Sequence, residues 1–127
     1  MARKIVNGKH VKSSGPYSHA VDAGDYVFLA GQTGYNGSDY NGEAYDIETQ
    51  THKSFEHLED IMEEVGLWYD HVVKVNVYLT SMDDFKAMND VYASKFTEAF
   101  PARTCIAVVG LPLNANVEIE FILKRNL

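Results

Sequence analysis

The chain has 127 residues, 46% of them hydrophobic and 23% charged, which fits one globular domain spanning 1–127 with a core of its own. Eighteen acidic residues against eleven basic ones give a net charge of −7. Without a basic run the chain has little with which to neutralise phosphates, which counts against nucleic acid as the main partner but leaves room for a local anion pocket.

No stretch approaches the roughly 20 apolar residues of a membrane helix, and Met1 to Asn7 carry no signal-peptide-like run. The single Cys105 has no second cysteine for an intramolecular disulfide. Together these features give the cytoplasm as the expected compartment and no membrane partner. Asn36-Gly37-Ser38 matches a glycosylation sequon but reads as a turn in that setting.

Residues 2–6 predict a short strand, followed by a polar stretch that ends in Ser14-Gly15-Pro16-Tyr17. Residues 17–21 and 26–30 flank Asp22-Ala23-Gly24-Asp25, a hairpin turn. The run Tyr26 to Ala30 is apolar throughout, so burial on both faces is expected. Residues 31–45, with four Gly, two Asn and three Tyr, read as a long loop.

Asp46 is placed to cap a helix running to Val65, with Gly66 as its stop. Phe55, Leu58, Met62 and Val65 form its apolar stripe. Residues 72–80 predict a strand in which Val73, Val75, Val77 and Leu79 share a face. Ser81 or Asp83 caps a second helix carrying Phe85, Met88, Tyr92, Phe96 and Ala99, which Pro101 ends. Two strands follow, about 103–110 and 117–124. The order predicts one mixed sheet with both helices on a single face. Its other face needs cover, which association through the sheets would provide.

Arg103 opens an apolar strand and shares a face with Cys105. Three readings fit it: a guanidinium fork that binds a carboxylate, a structural salt bridge to Glu118 or Glu120, or plain exposure at a strand end. Glu118 and Glu120 share a face of the last strand. They suit a pair that activates water if partly buried, or the ordinary charged face of a sheet. Cys105 reads as a pocket wall rather than a nucleophile, since no His and Asp are marked as its partners. The histidines at 10, 19, 52, 57 and 71 show no metal spacing, so no metal is implied. Ala30-Gly31-Gln32-Thr33-Gly34 lacks the Lys of a P-loop; its glycines suit a tight turn or close backbone approach to a ligand.

Taken in register, Gly15-Pro16-Tyr17-Ser18, Gly31-Gln32, Asn89 with Tyr92, Phe100-Pro101-Ala102-Arg103-Thr104-Cys105, Leu111-Pro112 and Val117-Glu118-Ile119-Glu120 resemble the RidA (YjgF/UK114) family over essentially the whole chain. The resemblance implies an α+β fold of the chorismate-mutase-like (Bacillus) type. In that arrangement three subunits pack their sheets into a central barrel, with active sites between subunits. It also implies hydrolysis of reactive 2-imino acids, such as 2-iminobutanoate and 2-iminopropanoate, to 2-keto acids and ammonia, without a cofactor. On that pattern Arg103 clamps the substrate carboxylate and Glu118 positions or activates water. Tyr17, Ala30, Gly31, Cys105 and Asn89 would contribute to the pocket. Two positions depart from it: Ala30 stands where Ser is common, which bears on substrate range, and His19 where Gln is common. A non-catalytic module binding small 2-keto carboxylates is the alternative. Endoribonuclease activity, attached to some relatives, fits the acidic balance poorly, and chaperone-like behaviour leaves no mark in the sequence.

Overall fold

The computed structural model describes residues 3–37, 41–97 and 99–126. Among these lie β1 (Lys4–Val6), β2 (Ala20–Asp22), β3 (Tyr26–Leu29), β4 (Gln32–Thr33), α1 (Ile47–Val65), β5 (Val72–Leu79), α2 (Phe85–Phe96), β6 (Ala102–Ala107) and β7 (Val117–Lys124). Ala2 of the first expected strand and Ser38 of the sequon turn lie outside the described residues.

The strands form one mixed sheet in the order β1-β2-β3-β7-β5-β6, with β4 also bonded to β7. Only β5 and β6 run parallel, because α2 crosses between them; the other pairs are antiparallel. Val27, Leu29, Val75, Val77, Leu79 and the odd-numbered residues of β7 from Val117 to Leu123 join the apolar stripes of α1 and α2 in one buried cluster. Both helices therefore cover the same face, as the element order predicts.

Helix α1 begins where Asp46 Oδ1 accepts the Thr49 N–H at 2.8 Å. It ends at Gly66, whose φ of 76° suits a residue without a Cβ. Phe55 is fully buried at its centre, with the rings of Tyr69, Tyr92, Phe96 and Phe121 between 6.0 and 6.2 Å away. That spacing suits edge and tilted aromatic packing. Gln50, also on α1, is 1% exposed yet fully bonded. Its amide donates to Tyr45 O and Asn116 Oδ1, and its carbonyl accepts the Asn116 N–H, each at 2.8 Å. These bonds tie α1 to the residue just before β7.

The fold corrects several expectations. Tyr26 and Phe28 are 44% and 45% exposed, so β3 is buried on one face only; alternation, not apolar content, governs an outer face that no second layer of this chain covers. Two residues of the expected loop, Gln32 and Thr33, instead pair with β7. A register irregularity between Val72 and Lys74 puts Val72, rather than Val73, into the core. Helix α2 stops at Phe96, well before Pro101, because Thr97 turns to φ 56°; Ala99 is exposed and off the helix. Strand β6 ends at Ala107 and lies at the sheet edge, with Ile106 47% exposed and Val109 fully exposed. None of the helices among the described residues is long and apolar enough to cross a membrane.

Because Phe55 carries so much of the aromatic packing, Phe55→Ala is expected to lower unfolding free energy by about 3–5 kcal/mol, read from urea denaturation midpoints.

Candidate active site

The period of a strand decides where the candidate residues go. In β6, Arg103 and Cys105 pair with Val75 and Val77 and so lie on the helix-covered side. In β7, Glu118 and Glu120 pair with Tyr78 and Asn76 on the other side. Within one chain the sheet stands between Arg103 and the two carboxylates, which removes the salt-bridge reading of Arg103. Two partial sites result.

The first is built around Arg103. Its guanidinium carbon lies 4.7 Å from the Tyr92 ring centre and 5.6 Å from that of Phe85. Its Nη1 donates to Asn89 Oδ1 at 2.6 Å. All three partners come from α2, so one helix face holds the cation against the edge strand. Asn89, Tyr92, Ala93, Phe100, Pro101 and Arg103 line a groove of about 440 Å³. No carboxylate of this chain pairs with Arg103 among the described residues. A guanidinium bonded to a neutral amide and stacked on rings keeps donors for a bidentate anion. Cys105 sits beside it, half-buried against the core, and lines neither cavity. The expected pocket-wall role is therefore not what the fold gives it, because its side chain packs toward the core; burial pushes its thiol pKa up, with Arg103 opposing, which disfavours a thiolate.

The second partial site is a cavity of about 180 Å³ on the Glu118 side. Five residues of β3–β4, from Phe28 to Gln32, span only four of β7, from Ile122 to Ile119. The extra residue bows the chain at Ala30 and Gly31 into the cavity lining, the usual effect of a bulge. Gly31 allows no side chain: a Cβ there would lie 2.9 Å from Glu118 Cδ. Burial raises the Glu118 pKa, and the Glu120 charge raises it further. Glu120 is held by the Tyr78 hydroxyl, which donates at 2.6 Å, and by Asn76 Nδ2 at 3.0 Å. That bond to Glu120, with burial, pushes the Tyr78 pKa up to about 12.

The chain from Gly8 to Tyr17 brings Lys12, Ser14 and Tyr17 to this cavity. It is pinned from below. Asp60 Oδ2 accepts the His10 and Val11 N–H groups at 2.8 and 3.0 Å. His19, 4% exposed, accepts the Gly8 N–H at Nδ1, 2.9 Å away. Its Nε2–H therefore points to Ser13 Oγ at 3.0 Å, and that hydroxyl donates to Tyr17 O at 3.5 Å. Ala30 N–H donates to His19 O at 2.8 Å, which links this histidine to the bulge as well.

Tyr17, Ala30, Gly31 and Glu118 thus gather in one cavity and Arg103 with Asn89 in another. Sequence reading missed Lys12, Thr33, Pro112 and Leu113 in the first lining, took Phe85 only as helix stripe, and gave Tyr92 to the stripe and the signature without a role beside Arg103. The aromatics carried a signal in hindsight, since they fall on the helix that precedes Arg103; the loop residues carried none. No group of histidine, cysteine and carboxylate side chains among the described residues is arranged to hold a metal ion.

Residues 7–124 match the family model described as Endoribonuclease L-PSP. The chain is 38% identical over 123 residues to a RutC family protein of Pyrococcus abyssi, covering 96% of this chain and 97% of that one. It is 40% identical over 108 residues to the 2-iminobutanoate/2-iminopropanoate deaminase of Dermatophagoides farinae, covering 85% of this chain and 84% of that one. The crystal structure of RidA from the Antarctic bacterium Psychrobacter superposes with a TM-score of 0.89 at 33% identity, covering 97% of this chain and all of that one.

This chain belongs to the RidA family.

Membership agrees with the α+β architecture, the two helices on one mixed sheet and the signature residues around Arg103 and Glu118. Against that background His19 has a physical role of its own. It is neutral by construction, because a proton on Nδ1 would face the Gly8 N–H. Burial holds both His19 and His57 below the ordinary imidazole value of 6.5, with Asp60 opposing at His19 and the Thr33 carbonyl opposing at His57. On acidification the unfolded chain then takes up protons first. The stability that these neutral rings contribute is complete above about pH 6.5 and falls as pH drops through their lowered range. Urea midpoints are expected to fall between pH 7.5 and 5.5. His19→Gln, which keeps an acceptor for Gly8 but gains no proton, is expected to flatten that slope.

Proposed function

We propose that the protein hydrolyses reactive 2-imino acids, including 2-iminobutanoate and 2-iminopropanoate, to 2-keto acids and ammonia, at sites between subunits of a homotrimer. The observation that carries this reading is the placement of Arg103 and Glu118 on opposite sides of one sheet. A carboxylate clamp and a water-activating group that cannot meet within a chain can meet across a subunit boundary. Exposed Tyr26, Phe28 and Ile106 on the sheet give a second copy apolar surface to cover. A closed trimer of chorismate-mutase-like form, with the sheets as a central barrel and the helices outside, is the assembly that the family resemblance supplies.

In this mechanism Arg103 of one subunit binds the substrate carboxylate by two hydrogen bonds, steadied by Asn89 and stacked on Tyr92. The imine carbon then lies in the Glu118 cavity of the next subunit, beside the backbone of Gly31. Glu118 takes a proton from water as the water oxygen bonds to the imine carbon, and the C=N π pair moves to nitrogen. Glu118 passes that proton to nitrogen to complete the carbinolamine, then carries the hydroxyl proton to nitrogen as the C–N bond breaks, so that ammonia leaves and the hydroxyl oxygen becomes the keto oxygen. Burial suits Glu118 to this exchange by bringing its proton affinity closer to neutral pH. The imine is already electrophilic, so orientation and a poised water provide the rate, and no cofactor enters. Tyr17 and Ala30 shape the cavity, and Cys105 fills space behind Arg103. Such an activity fits the cytoplasm, where reactive imines form. An acidic chain suits a small anion in a local pocket better than RNA.

The test is ammonia release from imines formed in situ by an amino-acid oxidase. Arg103→Ala is expected to lose at least a hundredfold in kcat/KM while light scattering still reports a trimer. Glu118→Gln is expected to lose a similar factor. In the wild type the rate should rise with pH through a limb lying above the usual carboxylate range, since Glu118 must be ionised to act and its pKa is raised. Full activity in Arg103→Ala would sink the mechanism. Arg103-dependent binding of 2-keto acids with no turnover would make the protein a small-carboxylate sensor instead.

A further inference from the structure

Resting on the imine-hydrolysis reading, a strained turn beside the Glu118 cavity bears on which imino acids the site prefers. Just before β7 two successive non-glycine residues occupy the left-handed region, Leu113 at φ 58° and ψ 29° and Asn114 at φ 54°. Asparagine tolerates that conformation through its short polar side chain. Leucine does not, because its Cβ is driven against the following carbonyl oxygen.

Core burial, the usual compensation for a leucine in an unfavourable backbone, does not account for Leu113. Its side chain is only partly buried and stands outside the core cluster. The nearby core positions go to Ala115 and Val117, 2% and 0% exposed. The Ala115 N–H closes the turn on Pro112 O at 3.1 Å and so fixes Leu113 between them. Leu113 instead lines the cavity that contains Glu118. There Pro112, Leu113 and Ala30 supply an apolar part, while Lys12, Thr33 and Glu118 supply a polar one. Strained residues that survive without a packing reason gather at ligand clamps. A serine at position 30 would have added a hydroxyl to that apolar part; the alanine leaves it apolar.

We infer that Leu113 is a specificity-determining residue. With Pro112 and Ala30 it forms the wall that receives the side chain of the 2-imino acid, and the site favours apolar side chains of three or more carbons over the methyl group of 2-iminopropanoate. A hydrophobic wall discriminates by about tenfold or more per methylene engaged, so the preference is measurable.

Imines are generated from D-leucine, D-methionine and D-alanine by D-amino-acid oxidase; the imine carbon is planar, so the D-series serves. Hydrolysis is scored against semicarbazide trapping for the full chain, Leu113→Gly and Leu113→Asn. Both substitutions accept the left-handed backbone and remove the apolar wall. The expected result is a wild-type preference for the leucine- and methionine-derived imines that drops about tenfold in each variant. The melting temperature of Leu113→Gly should not fall, since glycine relieves the turn. Equal slowing of all three imines would mark Leu113 as merely structural and overturn the inference, as would an unchanged preference or no preference in the wild type. Absence of wild-type turnover on any imine strikes the hydrolysis reading instead. The assignment of Leu113 is then judged by calorimetric Kd values for 4-methyl-2-oxopentanoate and pyruvate. A wild-type preference for the larger keto acid that drops about tenfold in both variants supports it, and an unchanged affinity ratio overturns it.

Discussion

Strand β7 commits every second residue to the core. Val117, Ile119, Phe121 and Leu123 are each no more than 1% exposed, and their neighbours have no choice of side. A slip of one residue would bury Glu118 and Glu120 among aromatic rings and turn four apolar side chains outward, so the register is strongly fixed. Hydrogen bonds to β5 on one side and to β3 and β4 on the other hold the strand along its length. The same constraint raises the proton affinity of Glu118, because it must sit two residues from Glu120 in a partly buried setting.

Around that strand the polar groups are arranged economically. Glu120 accepts from both Tyr78 and Asn76 at Oε1, while Glu118 is the carboxylate that lines the cavity. Arg103 is held by a neutral amide and two rings rather than by an acid, so its charge is not spent on this chain. Gln50 joins α1 to Asn116, and His19 joins the N-terminal stretch to the bulge at Ala30. Gln50, His19, Glu120 and Arg103 each have a hydrogen-bond partner, which stiffens the walls around the two cavities. The left-handed Leu113 is the one wall residue that its own backbone opposes.

Much of the frame was legible in the residues alone. Asp46 and Gly66 bracket α1 as capping chemistry requires, and the Phe55, Leu58, Met62 and Val65 stripe is buried. The alternation of β7 and the shared face of Arg103 and Cys105 follow from a period of two. Where apolar content was read without alternation, as in Tyr26 to Ala30, the sequence misled. Ends of elements misled as well: Thr97 stops α2 through its own φ, not through Pro101.

By itself the sequence determined most of the elements, the buried faces of α1 and β7, the RidA signature and the residue types able to bind a carboxylate and to move a proton. These are local matters, set by side-chain period, caps and short motifs. The tertiary structure alone decided that Arg103 and Glu118 are separated by the sheet, that a one-residue bulge brings Gly31 against Glu118, and that Pro112 and Leu113 wall the cavity. Each of these depends on strand pairing between segments far apart in the chain, and on loops whose course only the packed sheet fixes. No local pattern encodes which side of a neighbouring strand a residue will face until the register is set.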